Sequence, residues 1–195
     1  MANVDRVNGF RPYRYLSGAK YNGKISKYVT DGSTALFVGD LVKLSTTGTA
    51  DGLRTVVQAA ASDAVIGVVV GFQPDYANLN AAPYRLASTT RIAFVVDDPN
   101  VLFEAQEDGD TDPLEQADLG LNVNFVVGSG STTTGQSGME IDSDTHGTSA
   151  TLPLKLIEVV QRVDNEFPTG GQANTRWVVK LNNHQLASST GTAGV

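Results

Sequence analysis

The sequence predicts a mainly β chain, a β-barrel or jelly-roll-like sandwich with an extended N-terminal arm. Three observations predict it. Short apolar runs alternate with turn clusters along residues 31–186, enough for roughly eight to ten strands. Residues 121–127, LNVNFVV, alternate apolar and polar with period two, the mark of a strand with two unlike faces. No segment carries a 3.6-residue apolar stripe, and no βαβ alternation is present.

Residues 1–30 interleave aromatic, basic and small polar side chains. Pro12 disfavours helix at Arg11, and Gly9, Gly18 and Gly23 interrupt any helical run. The segment therefore reads as an extended arm, with a fold-back onto its own barrel as the alternative. ALFVGDLVKLS at 35–45 reads as a strand pair broken at Gly39-Asp40, and TTGTADG at 46–52 as a turn. In LRTVVQAAAS at 53–62, Thr55, Val56 and Val57 favour strand, whereas Ala59 to Ala61 suit a helical turn. AVIGVVVGF at 64–72 reads as a buried strand, and 73–84 as a loop. RIAFVVDDP and NVLFEAQED, at 91–108, are two strands around the turn cluster Asp98-Pro99-Asn100. In 121–127 the face of Leu121, Val123, Phe125 and Val127 is the buried one, and Asn122 and Asn124 take the other. GSGSTTTGQSG at 128–138 has the composition of a flexible loop, within a Ser/Thr/Gly-rich stretch reaching 150. TLPLKLIEVVQRV at 151–163 and NTRWVVKLNNHQL at 174–186 are strands joined by a hairpin loop. ASSTGTAGV at 187–195 reads as a flexible tail.

The 195 residues carry no cysteine, which excludes disulfides, thiolate metal sites and cysteine nucleophiles. Net charge is −7, unevenly spread. Residues 1–30 hold six basic side chains and Asp5, 6 − 1 = +5, and the remainder carries −12. A basic arm on an acidic body suits an interaction tail and disfavours nucleic acid as a partner of the body. The longest apolar run is about half of the ~20 residues a spanning helix needs, so no membrane partner is expected. The N-terminus lacks a signal-peptide apolar region.

Candidates for chemistry are few. Asp142, Asp144 and His146 alternate in a stretch read as loop, and His184 follows Asn182-Asn183. No Gly-x-Ser-x-Gly elbow aims a nucleophile. Asp108-Gly-Asp110-Thr-Asp112 opens like a calcium loop, then places Pro113 where glycine belongs and Leu119 where glutamate belongs. A looser calcium site would use Asp108, Asp110, Asp112 and Glu115. The bland reading of this stretch, nine acidic residues and no basic one over 97–118, is a solvated acidic loop. The single Trp177 sits within a strand pattern, as a core residue would. No catalytic residue, metal or cofactor is expected.

Three segments, in order, carry a family resemblance. ANVDRVNGFRPYRYLSGAKYNGK at 2–24 resembles the N-terminal arm of tailed-phage head proteins. DAVIGVVVGF at 63–72 with FVVDDPNVLFEAQED at 94–108 resembles the β core of phage capsid decoration, or cement, proteins. RWVVKLNNHQL at 176–186 resembles their closing strand. The resemblance implies a non-enzymatic virion protein, made in the host cytoplasm and bound to the outer capsid surface. It implies the major capsid protein as partner and self-association, as a homotrimer or a dimer. A head-completion or tail adaptor protein is the alternative within the virion, and a small β-barrel hydrolase or carbohydrate-binding module the one outside it. The expected organisation is an arm over 1–30, a barrel or sandwich over 31–186 and a tail over 187–195. The arm is expected to lie across a neighbouring subunit through Arg6, Phe10, Arg11, Tyr13, Arg14 and Tyr15.

Overall fold

The computed structural model describes residues 3–47 and 52–195. Most of the turn expected at 46–52 lies outside the described residues. The fold is mainly β, as the patterning predicts. Among the described residues, eleven strands form two sheets. β2 (Ser26–Thr30), β3 (Leu41–Leu44), β4 (Thr55–Gln58), β5 (Gly67–Phe72) and β6 (Ile92–Val96) close a barrel in the order β2-β4-β3-β5-β6. β1 (Arg11–Tyr15), β7 (Val101–Gln106), β8 (Asn122–Gly128), β9 (Gly138–Gly147), β10 (Leu154–Val159) and β11 (Arg176–Leu181) form an open sheet. Its order is β1-β7-β11-β10-β8-β9. All pairings are antiparallel except β2 with β4. No helix among the described residues is long and apolar enough to cross a membrane.

The two sheets share one core. Leu41, Val65, Val68 and Val96 of the barrel half pack in one cluster with Phe103, Phe125, Leu156 and Trp177 of the open sheet. The barrel interior is a second cluster that includes Tyr28, Leu36, Val42, Val56, Ile66 and Val95. The run 64–72 thus feeds both clusters, which is why it reads as apolar without interruption. Its Gly67 is required by close approach: a Cβ there would stand 2.1 Å from the Val96 carbonyl oxygen.

Several expectations need correction. The N-terminal segment does not leave its own fold but supplies a strand to each sheet. β1 pairs with β7, β2 is a barrel strand against β4 and β6, and Phe10 is 1% exposed in the shared core. The fold-back alternative is the observed one, and residue 30 is no domain boundary. The physical reason is that Phe10, Tyr15, Tyr21 and Tyr28 find apolar cover within their own chain. Residues 35–38 form two isolated bridges rather than a strand, and Ala59–Ala61 leave β4 without a helical turn.

The stretch 128–150 is not loop throughout: residues 129–137 form a loop, as expected, but a strand follows. β9 occupies 138–147, and a tight turn joins it to β8, with Gly135 N donating to Ser131 O and Ser131 N to Gln136 O. Asn122 and Asn124 are buried with Val123 and Phe125, whereas Val127, expected to be buried, is 41% exposed. Asn122 donates to the carbonyls of Ser149 and Thr192, and Asn124 exchanges hydrogen bonds with Ser62. The C-terminal tail is docked rather than frayed. Asn182 Oδ1 accepts from the Thr192 N–H, Gly194 N donates to Thr148 O, and Val195 N donates to Gly120 O.

Candidate interaction surface

The N-terminal segment crosses the outer edge of the open sheet. Gly9 turns the chain with φ +60°, and Phe10 N donates to Gly39 O at 3.0 Å, which drops the Phe10 ring into the core. A Cβ at Gly9 would meet the Ser137 Cβ at 2.5 Å, so only glycine fits. β1 then pairs with β7, with a register shift between Pro12 and Arg14 that leaves Tyr13 without a partner. The six residues expected to grip a neighbour therefore separate. Phe10 is core. Tyr15 is half-buried, tilted against Tyr21, with its hydroxyl donating to Asn22 Oδ1 at 2.7 Å. Arg14 pairs with Glu158 at 2.9 Å. Arg6, Arg11 and Tyr13 remain exposed.

Arg6 and Arg11 line a cavity of about 160 Å³ with Glu104, Gln106, Arg162 and Arg176. Strand register gathers them. Arg11 lies opposite Glu104, and Gln106 lies opposite Arg176, so β1, β7 and β11 present these side chains on one face. Gln106 fastens the N-terminal segment there. Its Oε1 accepts from Arg6 N at 2.9 Å, and its Nε2 donates to Val4 O and Asn174 O. Asn3 adds a second fastening, exchanging hydrogen bonds with the Glu166 backbone.

A second exposed feature is the segment 73–91 between β5 and β6. Two guanidinium groups brace it. Arg85, fully buried, donates to the carbonyls of Gly32, Leu86 and Asp31. Arg91 donates to those of Ala82, Tyr84 and Gln73 and lies 5.3 Å from the Phe72 ring centroid. Tyr84 stacks on Phe37 at 4.7 Å. Beyond these braces, Tyr76 is 79% and Leu79 85% exposed.

The acidic residues divide into structural and clustered groups. Glu107 is fully buried and accepts from Leu114 N, Thr175 N and Trp177 Nε1. Burial outweighs these donors and raises its pKa to about 8. Trp177 is core, edge-on to Phe167 at 5.2 Å, as its strand position suggested. Asp108, Asp110 and Asp142 bring one carboxylate oxygen each within 4.8 Å of one another. This cluster joins two residues of the calcium-loop pattern seen in the sequence to one residue of the other cation pattern, and neither pattern as written. Asp112, Glu115, Asp144 and His146 do not belong to it. Ser143 answers part of its charge, its N–H donating to Asp108 and its hydroxyl to Asp110 at 2.7 Å. Asp142 is raised to about 6, first by burial and then by Asp144; Glu140 is raised to about 7 by burial and the charges of Asp5 and Asp108.

The histidines have local partners. His146 Nδ1 meets the Ser143 carbonyl at 2.8 Å. His184 Nδ1 accepts from Leu186 N at 3.1 Å, and burial lowers the pKa of this ring. The Ser143 hydroxyl is directed at Asp110 rather than at an imidazole.

Sequence reasoning missed Arg162, Arg176, Tyr76 and Leu79. Tyr76 and Leu79 left a signal, being large apolar side chains in a segment otherwise built of turn residues. The arginines left none, because long-range strand pairing brings Arg176, and the loop after β10 brings Arg162, to Arg6 and Arg11.

No protein-family model matches the chain, and no curated protein or solved structure is significantly similar to it.

Proposed function

We propose that the chain is a structural virion subunit, a decoration or cement protein. It binds the outer surface of a phage capsid as a homotrimer and stabilises contacts between major capsid subunits. The ordered resemblance of its N-terminal, central and closing segments to that family is one support. The observation that carries the reading is the braced segment 73–91, which holds Tyr76 and Leu79 out in solvent on a base fixed by Arg85 and Arg91. A protein that works by covering seams needs anchors of this kind. Tyrosine supplies large contact area, and a fixed base lowers the ordering entropy lost on binding. Exposed Arg6, Arg11 and Tyr13 on the sheet edge add residue types enriched where interfaces hold their binding energy.

The test is the double substitution Tyr76→Ser/Leu79→Ser. Both side chains are solvent-exposed, so the far-UV circular dichroism and melting temperature should not change. Binding to undecorated heads should weaken at least ~30-fold, about 2 kcal/mol. Full decoration by the variant would remove the main support for the proposal.

A further inference from the structure

The cavity at the β1 edge has an unbalanced charge. Four guanidinium groups line it, from Arg6, Arg11, Arg162 and Arg176. Two carboxylates answer them. Glu104 pairs with Arg162, and Asp164 pairs with Arg176 at 3.1 Å and with Arg162 at 3.7 Å. The local sum is 4 − 2 = +2, in a chain whose net charge is −7. The surplus lies on Arg6 and Arg11. Neither makes an ion pair among the described residues, and Arg11 donates only to the amide oxygen of Asn8 at 2.7 Å.

The positions of these two arginines are built. Arg11 is set by the β1–β7 register, and Arg6 by the hydrogen bond from its N–H to Gln106. Arg162 and Arg176 are already oriented by their carboxylates. Three of the four guanidinium groups are therefore held before any ligand arrives, Arg11 by Asn8 and the other two by carboxylates, which lowers the cost of binding.

We infer that this cavity is a receptor for a carboxylate, supplied by an acidic segment of a protein partner. Guanidinium groups match a carboxylate in plane and can hold it through two parallel hydrogen bonds. A volume of about 160 Å³ admits a side-chain carboxylate and its stem. The acidic body repels a long polyphosphate chain more than a short acidic segment, so nucleic acid is a poor fit. The inference names a ligand class from the cavity alone and does not depend on the capsid proposal.

The experiment is calorimetric titration of the full chain at low ionic strength with three probes: a hexaglutamate peptide, a hexaglutamine peptide and inorganic phosphate. Hexaglutamate should bind, weaken steeply with added salt, and bind tighter than phosphate; hexaglutamine should give no heat. Arg6→Gln/Arg11→Gln should weaken hexaglutamate at least about tenfold with unchanged circular dichroism, because both residues are exposed. Lys20→Gln/Arg54→Gln changes net charge equally at two exposed positions outside the cavity and should have little effect. Equal weakening by both pairs would mean that bulk charge attracts the peptide, overturning the site. Binding of phosphate tighter than hexaglutamate would overturn the carboxylate assignment. Failure of hexaglutamate to bind would overturn the inference outright.

Discussion

Glu107 is the residue whose chemistry is furthest from its ordinary state. Its folded-state pKa, about 8, lies above the 4.5 of an unburied glutamate. The folded protein therefore holds this proton more tightly than the unfolded chain. The stability it contributes is complete below pH 4.5 and is lost as pH rises toward 8. Each tenfold change in proton affinity is worth about 1.4 kcal/mol. Glu140 and Asp142, raised to about 7 and about 6, act in the same direction. The melting temperature should accordingly fall between pH 5 and 8, and Glu107→Gln should flatten much of that slope while keeping one acceptor oxygen. A slope unchanged in the variant would place its origin elsewhere. Little of this was legible beforehand. The acidic run 97–118 was visible as a run, but whether a given carboxylate is solvated or buried depends on packing. Glu107 faces Leu114 and Trp177 only because β7 and β11 are neighbours, and Asp142 joins Asp108 only once β9 is a strand.

At the scale of elements, the strands were legible where periodicity and burial agree. β6 and β7 around Asp98-Pro99-Asn100, and β11 with Trp177, Val179 and Leu181 inward, are in the sequence as read. The N-terminal segment was misread because β1 is short and its pairing is shifted between Pro12 and Arg14, so no clean alternation survives. Tyrosine and arginine at low charge density then look like a strap. β9 was misread because glycine and polar residues dominate it, and its bridge partner Glu107 lies far off in sequence. The observed arrangement has a direct consequence. Removing residues 2–30 deletes one edge strand and one barrel strand, and the remainder should lose cooperative thermal unfolding. A truncated protein that melts like the full chain would contradict this. Phe10→Ala is the milder test, with an expected loss of about 3–5 kcal/mol in denaturant titration. An effect below 1 kcal/mol would mean the segment is loosely held.

For the whole molecule, the mainly β class followed from composition and turn spacing. The division into a closed barrel and an open sheet did not, because strand order depends on long-range pairing that local pattern does not encode. The apolar run 64–72 is buried within its own chain, so it cannot drive the proposed self-association. Tyr76, Leu79 and Tyr13 are exposed and available to it. Light scattering of the purified protein should give three copies of 20.5 kDa, 61.5 kDa, and a monomer at every concentration would contradict the homotrimer. The central claim is that the chain covers a shell. Its most direct test is the abundance of the chain on purified heads of a phage carrying this sequence, relative to the major capsid protein. The account predicts a copy number of the same order as that protein's, with the chain strippable from intact heads. Absence from heads, or a copy number fitting a single ring at one vertex, would contradict it.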